Sequence, residues 1–212
     1  MLMEYVRQGG PVMYPLLVCS IIALTVMTER LMFWMRIRKA KEPEKIIQFL
    51  SVVQQGRYTQ AFDLGRSSQD PALGVLVRGV ADRDLVPTAS MEQQAKREVS
   101  EMTRYLVVLE TVISMAPLLG IYGTITGIIR AFGFLSATGV PDPRLVAAGI
   151  AEALITTAAG LTIAIAAIPF YRHFLRRMER EAHEIEQHAT TLELILAQRR
   201  RLDVEQTEPV LS

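Results

Sequence analysis

Three stretches of this chain contain no charged residue at all: Gly9 to Thr28, Thr111 to Ile129 and Ala153 to Tyr171. Each is about 20 residues long, which is what a helix rising ~1.5 Å per residue needs to cross ~30 Å of hydrocarbon. In a bilayer every backbone N–H and C=O must be paired within the segment, so such runs fold as helices. Composition supports this reading through its distribution. The chain is 50% hydrophobic and 21% charged, with the charge excluded from the three runs. The expected fold is therefore an all-α integral membrane protein with three transmembrane helices. A formal net charge of +1 and no long basic tract exclude a nucleic-acid partner, because phosphate binding needs clustered Lys and Arg.

The first run is too long for the apolar region of a signal peptide and is followed by Glu29, Arg30 and a basic cluster, as expected of a retained anchor. Only Glu4 and Arg7 precede it, whereas Arg30, Arg36, Arg38, Lys39, Lys41 and Lys45 follow it, so the positive-inside rule places the N-terminus outside. The third run ends in Arg172, Arg176, Arg177 and Arg180, which brings the C-terminus back to the cytoplasm. The expected organisation is a short periplasmic N-terminus over 1–11 and spans over 12–33, 106–135 and 146–171. A cytoplasmic helical region covers 34–105, an outer turn 136–145 around Val140 to Pro143, and a cytoplasmic helical tail 172–212.

Breaks at Glu42-Pro43, Gly56, Asp70-Pro71 and Pro87-Thr88 divide the first cytoplasmic region into short amphipathic segments. Ile46, Ile47, Leu50 and Val53 mark one apolar face, and Ala61, Phe62 and Leu64 another. No Pro or Gly occurs between Thr88 and Pro117, so a helix capped near Thr88 or Ser90 is expected to run without interruption into the second span. After the third span Phe174, Met178, Ile185, Leu192 and Leu196 share one face of a helix running from Leu145 to about Arg199. At ~1.5 Å per residue it is on the order of 80 Å long and needs packed neighbours, which implies an oligomeric bundle.

Small and polar residues at membrane depth carry the functional information, since lipid contact favours large apolar side chains. Pro117, Gly120, Thr124, Gly127 or Ile128, and Ala131 lie along one face of the second span, and Ala153, Thr157, Gly160 or Leu161, and Ala164 along one face of the third. Thr124 and Thr157 fall roughly 16 and 18 Å inside the outer ends of their spans, near the midplane. Several copies around an axis would give a ring of hydroxyls in an apolar bore, able to coordinate water or receive a proton carrier. Simple helix packing, with the hydroxyls bonded one turn back, is the competing reading. Glu152 lies about 10 Å inside the third span, where a charge costs about 2.5–3.5 kcal/mol, so it faces protein, either along an ion path or hydrogen-bonded to a neighbouring helix.

Enzyme and metal readings fail on spacing. Gly120 to Gly127 is Gly-rich, but no Lys follows it and it lies inside a span. His183 and His188 are five residues apart, about 140° around a helix, and the lone Cys19 supplies neither a disulfide nor a thiolate zinc site. No catalytic residue, metal or cofactor is expected.

Several segments resemble the ExbB/TolQ/MotA family of proton-channel subunits. Gly9-Gly10-Pro11-Val12-Met13-Tyr14-Pro15-Leu16 with Glu29-Arg30-Leu31 is similar to its first span. Ala116-Pro117-Leu118-Leu119-Gly120, Gly123-Thr124 and Gly127 are similar to its second, and Gly149-Ile150-Ala151-Glu152-Ala153-Leu154, Thr157-Ala158-Ala159-Gly160-Leu161 and Ile168-Pro169 to its third. Three spans are similar to ExbB and TolQ rather than to the flagellar stator subunit. The resemblance implies a ring, a homopentamer in the bacterial inner membrane around an ExbD/TolR-like single-span partner pair whose aspartate carries the proton, and a TonB- or TolA-like protein that transmits force. It implies that Thr124 and Thr157 line the bore with Glu152 near the path, and that Pro117, Gly120, Gly127 and Gly160 pack helices around it. The sequence departs from the family at Thr156, a second hydroxyl beside Thr157, which leaves open which one faces the bore. The alternative function is a passive membrane scaffold that packs and recruits partner helices without conducting ions. An independent solute carrier is disfavoured because the three spans show no internal repeat.

Overall fold

The computed structural model describes the backbone of residues 8–138 and 143–207 and the side chains of residues 8–133 and 143–202. The expected outer turn around Val140 to Pro143 lies largely outside the described residues. The described chain is all-helical. The helices are α1 (Met13–Ala40), α2 (Pro43–Gln54), α3 (Tyr58–Arg66), α4 (Pro71–Ala81), α5 (Pro87–Thr103), α6 (Leu106–Thr138) and α7 (Pro143–Thr207). Three helical stretches, Met13–Ala40, Pro87–Gly133 and Pro143–Leu202, are long and apolar enough to cross a membrane. They contain the second and third uncharged runs whole and the first from Met13 on.

The chain divides into two compact units. The first comprises residues 1–31 and 105–175, the second residues 32–104 and 176–212. In the first unit, α1 packs on α6 and α7 through two clusters. Val12, Met13 and Leu16 meet Ala116, with Leu119, Ile155, Ala159 and Ile163 around them. Cys19, Ala23 and Val26 meet Leu109, Val112 and Ala167, so Cys19 is a small packing residue. Spans α6 and α7 approach still more closely because glycine faces glycine. A Cβ built on Gly127 would lie 2.8 Å from the Gly149 carbonyl oxygen, and one on Gly160 would overlap the Ala116 carbonyl oxygen. Pro117 and Pro169 sit inside α6 and α7 without ending them. Tertiary packing outweighs the one backbone hydrogen bond each removes.

In the second unit the turn residues do what their chemistry dictates. Prolines occupy the first turn of α2, α4 and α5, where a missing N–H costs nothing. Gly56 follows α2 at φ +79°; its N–H donates to the Val53 carbonyl and the Arg57 N–H to the Val52 carbonyl. These two bonds satisfy the orphan carbonyls of the helix end, and the left-handed residue between them is best glycine. Asp70 caps α4, accepting from the Ala72 N–H at 2.9 Å and from the Glu42 N–H at 2.8 Å. The core collects Phe49, Val53, Ala61, Leu73, Leu76, Met91, Met102, Ile185 and Leu192.

Three sequence expectations are corrected. The buried face of α2 is Ile46, Phe49 and Val53, while Ile47 is 69% exposed, because Phe49 carries the largest apolar side chain and sets the rotation of the helix. Phe62 is likewise turned outward, and α3 buries Ala61 and Gly65 instead. The helix from Thr88 does not continue into the second span. It starts at Pro87 after Val86, without a side-chain cap, and stops at Thr103. Tyr105 then adopts φ +67° before α6 begins. This residue places its ring 5.5 Å from the guanidinium of Arg30, a contact that a continuous helix would forgo. On α7, a helix of 65 residues, Phe174, Ile185, Leu192 and Leu196 are buried and Met178 is part-buried.

Candidate ion-path site on the second and third spans

The two hydroxyls expected near mid-depth belong to α6 and α7. Thr157 donates to the Gly120 carbonyl oxygen at 3.0 Å, a bond from one span to the other. Gly120 makes this approach possible: a Cβ there would lie 3.1 Å from the Thr157 Cα and 3.1 Å from the Thr156 carbonyl oxygen. The Thr124 hydroxyl donates to the Ile121 carbonyl at 2.6 Å and is partly exposed, as is Thr157. Thr156 is fully buried, its hydroxyl directed at the Glu152 and Ala153 carbonyls at 3.1 and 2.9 Å. Its side chain fills the space that a side chain on Gly123 would occupy.

Chemically, a threonine whose proton is engaged still offers oxygen lone pairs. Thr124 and Thr157 thus each keep acceptor capacity, on helices whose Ile121, Tyr122, Ile125, Leu154 and Leu161 are all well exposed within one chain. Gly120, Gly127 and Gly160 all lie at the contact between the two spans of one chain, and Pro117 is part-buried one turn from Gly120.

Glu152 is 8% exposed and is not isolated. Arg130 of α6 reaches it with one nitrogen, 2.9 Å from Oε1 and 2.8 Å from Oε2. Gly10, held at φ +66°, presses against the same carboxylate, which occupies the place of its absent Cβ. Sequence reasoning gives Arg130 no role, since its apolar run ends at Ile129. The available signal is that Arg130 and Glu152 are single opposite charges beside matching small-residue faces of two consecutive spans. At the other end of these helices the Tyr171 hydroxyl hydrogen-bonds Glu110. Arg30 is 2% exposed and donates to Glu29 at 2.7 Å. His183 is exposed and His188 part-buried on the C-terminal half of α7, and the described residues hold no cluster of His, Cys, Asp or Glu that could bind a metal.

Residues 73–187, more than half the chain and containing every residue of this site except Gly10, match the model of the MotA/TolQ/ExbB proton channel family. The chain belongs to that family. It is 35% identical over 201 residues to the "Putative biopolymer transport protein ExbB-like 1" of Synechocystis, covering 92% of this chain and 78% of that protein. The "Putative biopolymer transport protein ExbB homolog" of Methanothermobacter thermautotrophicus is 31% identical, covering 87% of this chain and 66% of that one. The "Tol-Pal system protein TolQ" of Haemophilus influenzae is 39% identical over 89 residues, 42% of this chain and 39% of its own. This family supplies proton-channel subunits that energise transport and is not a family of enzymes. With three apolar helices, the chain is a multi-pass membrane protein.

Proposed function

We propose that this chain is the ring-forming, proton-conducting subunit of an inner-membrane complex that uses the proton motive force to drive an envelope machine. The observation that carries the reading is the Thr157 hydroxyl bonded across to the Gly120 carbonyl of the second span, on helices that keep large apolar side chains exposed. Five copies with Thr124 and Thr157 inward would enclose an ExbD/TolR-like single-span helix pair. Thr124 and Thr157 supply acceptor oxygens and no titrating group at their depth, so the acid that carries protons belongs to the partner. A TonB- or TolA-type protein would transmit the resulting motion. In this orientation the N-terminus is periplasmic and the C-terminus cytoplasmic.

The test is co-purification with a single-span, Asp-bearing partner, native mass spectrometry, then proton flux in liposomes. Five copies retaining two partner helices, with flux lowered at least tenfold by Thr157→Val and kept by Thr157→Ser, is the expected result. Unchanged flux in Thr157→Val removes this path. A passive scaffold is favoured by one observation: the hydroxyls of Thr124, Thr156 and Thr157 all donate to carbonyls of their own chain, as packing alone would have it. That reading expects no flux in the wild-type complex.

A further inference from the structure

The Arg130–Glu152 pair is buried on the carboxylate side and open on the guanidinium side. The Glu152 side chain is 10% exposed and that of Arg130 is 42% exposed. Gly10 closes the carboxylate from the lead-in to α1, and the Thr156 hydroxyl binds the Glu152 backbone rather than its side chain. The opening that remains is a cleft of about 520 Å³ lined by Gln8, Ala131, Leu145, Ala148, Gly149 and Ala151 together with the pair itself. Arg130 and Glu152 are thus the two charged residues of this lining, and the guanidinium stands between the carboxylate and the open space.

An acid buried in a span is ordinarily the first candidate for carrying a proton or coordinating a cation. Here both of its oxygens are already occupied by a guanidinium that never deprotonates in proteins. A cation entering the cleft meets the positive face of Arg130 first, an arrangement that excludes cations from membrane pores. We infer that Arg130 is a positioning and selectivity residue: it holds Glu152 as a fixed ion pair, so that Glu152 neither relays protons nor binds sodium, and metal cations are refused at this mouth. This rests on the proton-channel reading, and it moves proton transfer wholly onto the partner's acid.

The experiment uses the complex with its partner and two readouts. Dicyclohexylcarbodiimide modifies protonated carboxyl groups in apolar surroundings, and peptide mass spectrometry locates the adduct. Glu152 is expected to stay unmodified in the wild type and in Arg130→Lys, and to be modified in Arg130→Gln. In liposomes, 100 mM NaCl is expected to leave wild-type proton flux unchanged and to lower that of Arg130→Gln about 3-fold or more. Modification of Glu152 in the wild type overturns the inference, and this arm does not depend on any variant folding. Equal sodium sensitivity in wild type and Arg130→Gln also overturns it. Absence of wild-type proton flux with Glu152 unmodified refutes the proton-channel reading and leaves the ion pair standing.

Discussion

A methyl group at Gly160 has nowhere to go, because the Ala116 carbonyl oxygen occupies that space and the Gly120 Cα lies 3.2 Å away. Backbone cannot swing aside as a flexible side chain can, so Gly160→Ala is expected to cost about 1–3 kcal/mol. Gly133, where an added Cβ meets nothing within 4 Å, is the control, and Gly133→Ala should stay within about 0.5 kcal/mol in the same thermal melt of detergent-solubilised protein. A second residue-scale expectation concerns Lys41, which bridges Glu181 at 2.9 Å and Glu184 at 2.6 Å. Burial lowers its pKa, but the hydrogen bonds and charges of Glu184 and Glu181 together outweigh this and raise it. A raised folded-state value means that the stabilisation is fully present below the ordinary lysine value near 10.5 and is lost as pH rises through the folded value. The stability difference between wild type and Lys41→Met should therefore be constant through neutral pH and shrink only above that value in pH-dependent unfolding. Of this scale the small-residue positions were legible in sequence, because Gly and Ala at spacings of three and four have no other use in an apolar helix. The partner of Glu152 was not, since Arg130 lies 22 residues away and periodicity says nothing about which charges meet.

Among the elements, α4 depends most on one side chain. Asp70, 4% exposed, accepts the Ala72 N–H of its own helix and the Glu42 N–H ahead of α2, so one carboxylate holds two helix starts. Asp70→Ala is expected to destabilise the protein by about 1–2 kcal/mol, read from the shift of the unfolding midpoint. The rotation of α2 gives a paired expectation: Phe49→Ala, at a site with 0% exposure, should cost about 3–5 kcal/mol, and Ile47→Gln almost nothing. The opposite order would restore the face read from sequence. Helix existence was legible here from Pro and Gly punctuation, which acts locally. The rotation of α2 and the break at Tyr105 were not, because the first is set by what packs against Phe49 and the second places the Tyr105 ring near Arg30, 75 positions back in the chain.

For the whole molecule, the 18-residue apolar windows of the three spanning helices are only 28%, 33% and 28% buried within one chain. The remaining apolar surface needs lipid or neighbouring helices, which is the physical reason to expect an assembly in a membrane rather than a lone soluble subunit. The chain should sediment with membranes, resist extraction at alkaline pH and enter solution only with detergent. Release by alkali alone would contradict the three-span reading.

The sequence by itself determined the number of spans, the helical class and the family, because uncharged runs of membrane length and small-residue motifs are local properties that any fold of this chain must respect. Tertiary packing set that Thr157 rather than Thr156 bonds across to the Gly120 carbonyl, that Thr156 is buried, and that Arg130 takes up Glu152. Those outcomes depend on the rotation and axial offset of one helix against another, which packing of the whole unit sets and no single segment encodes.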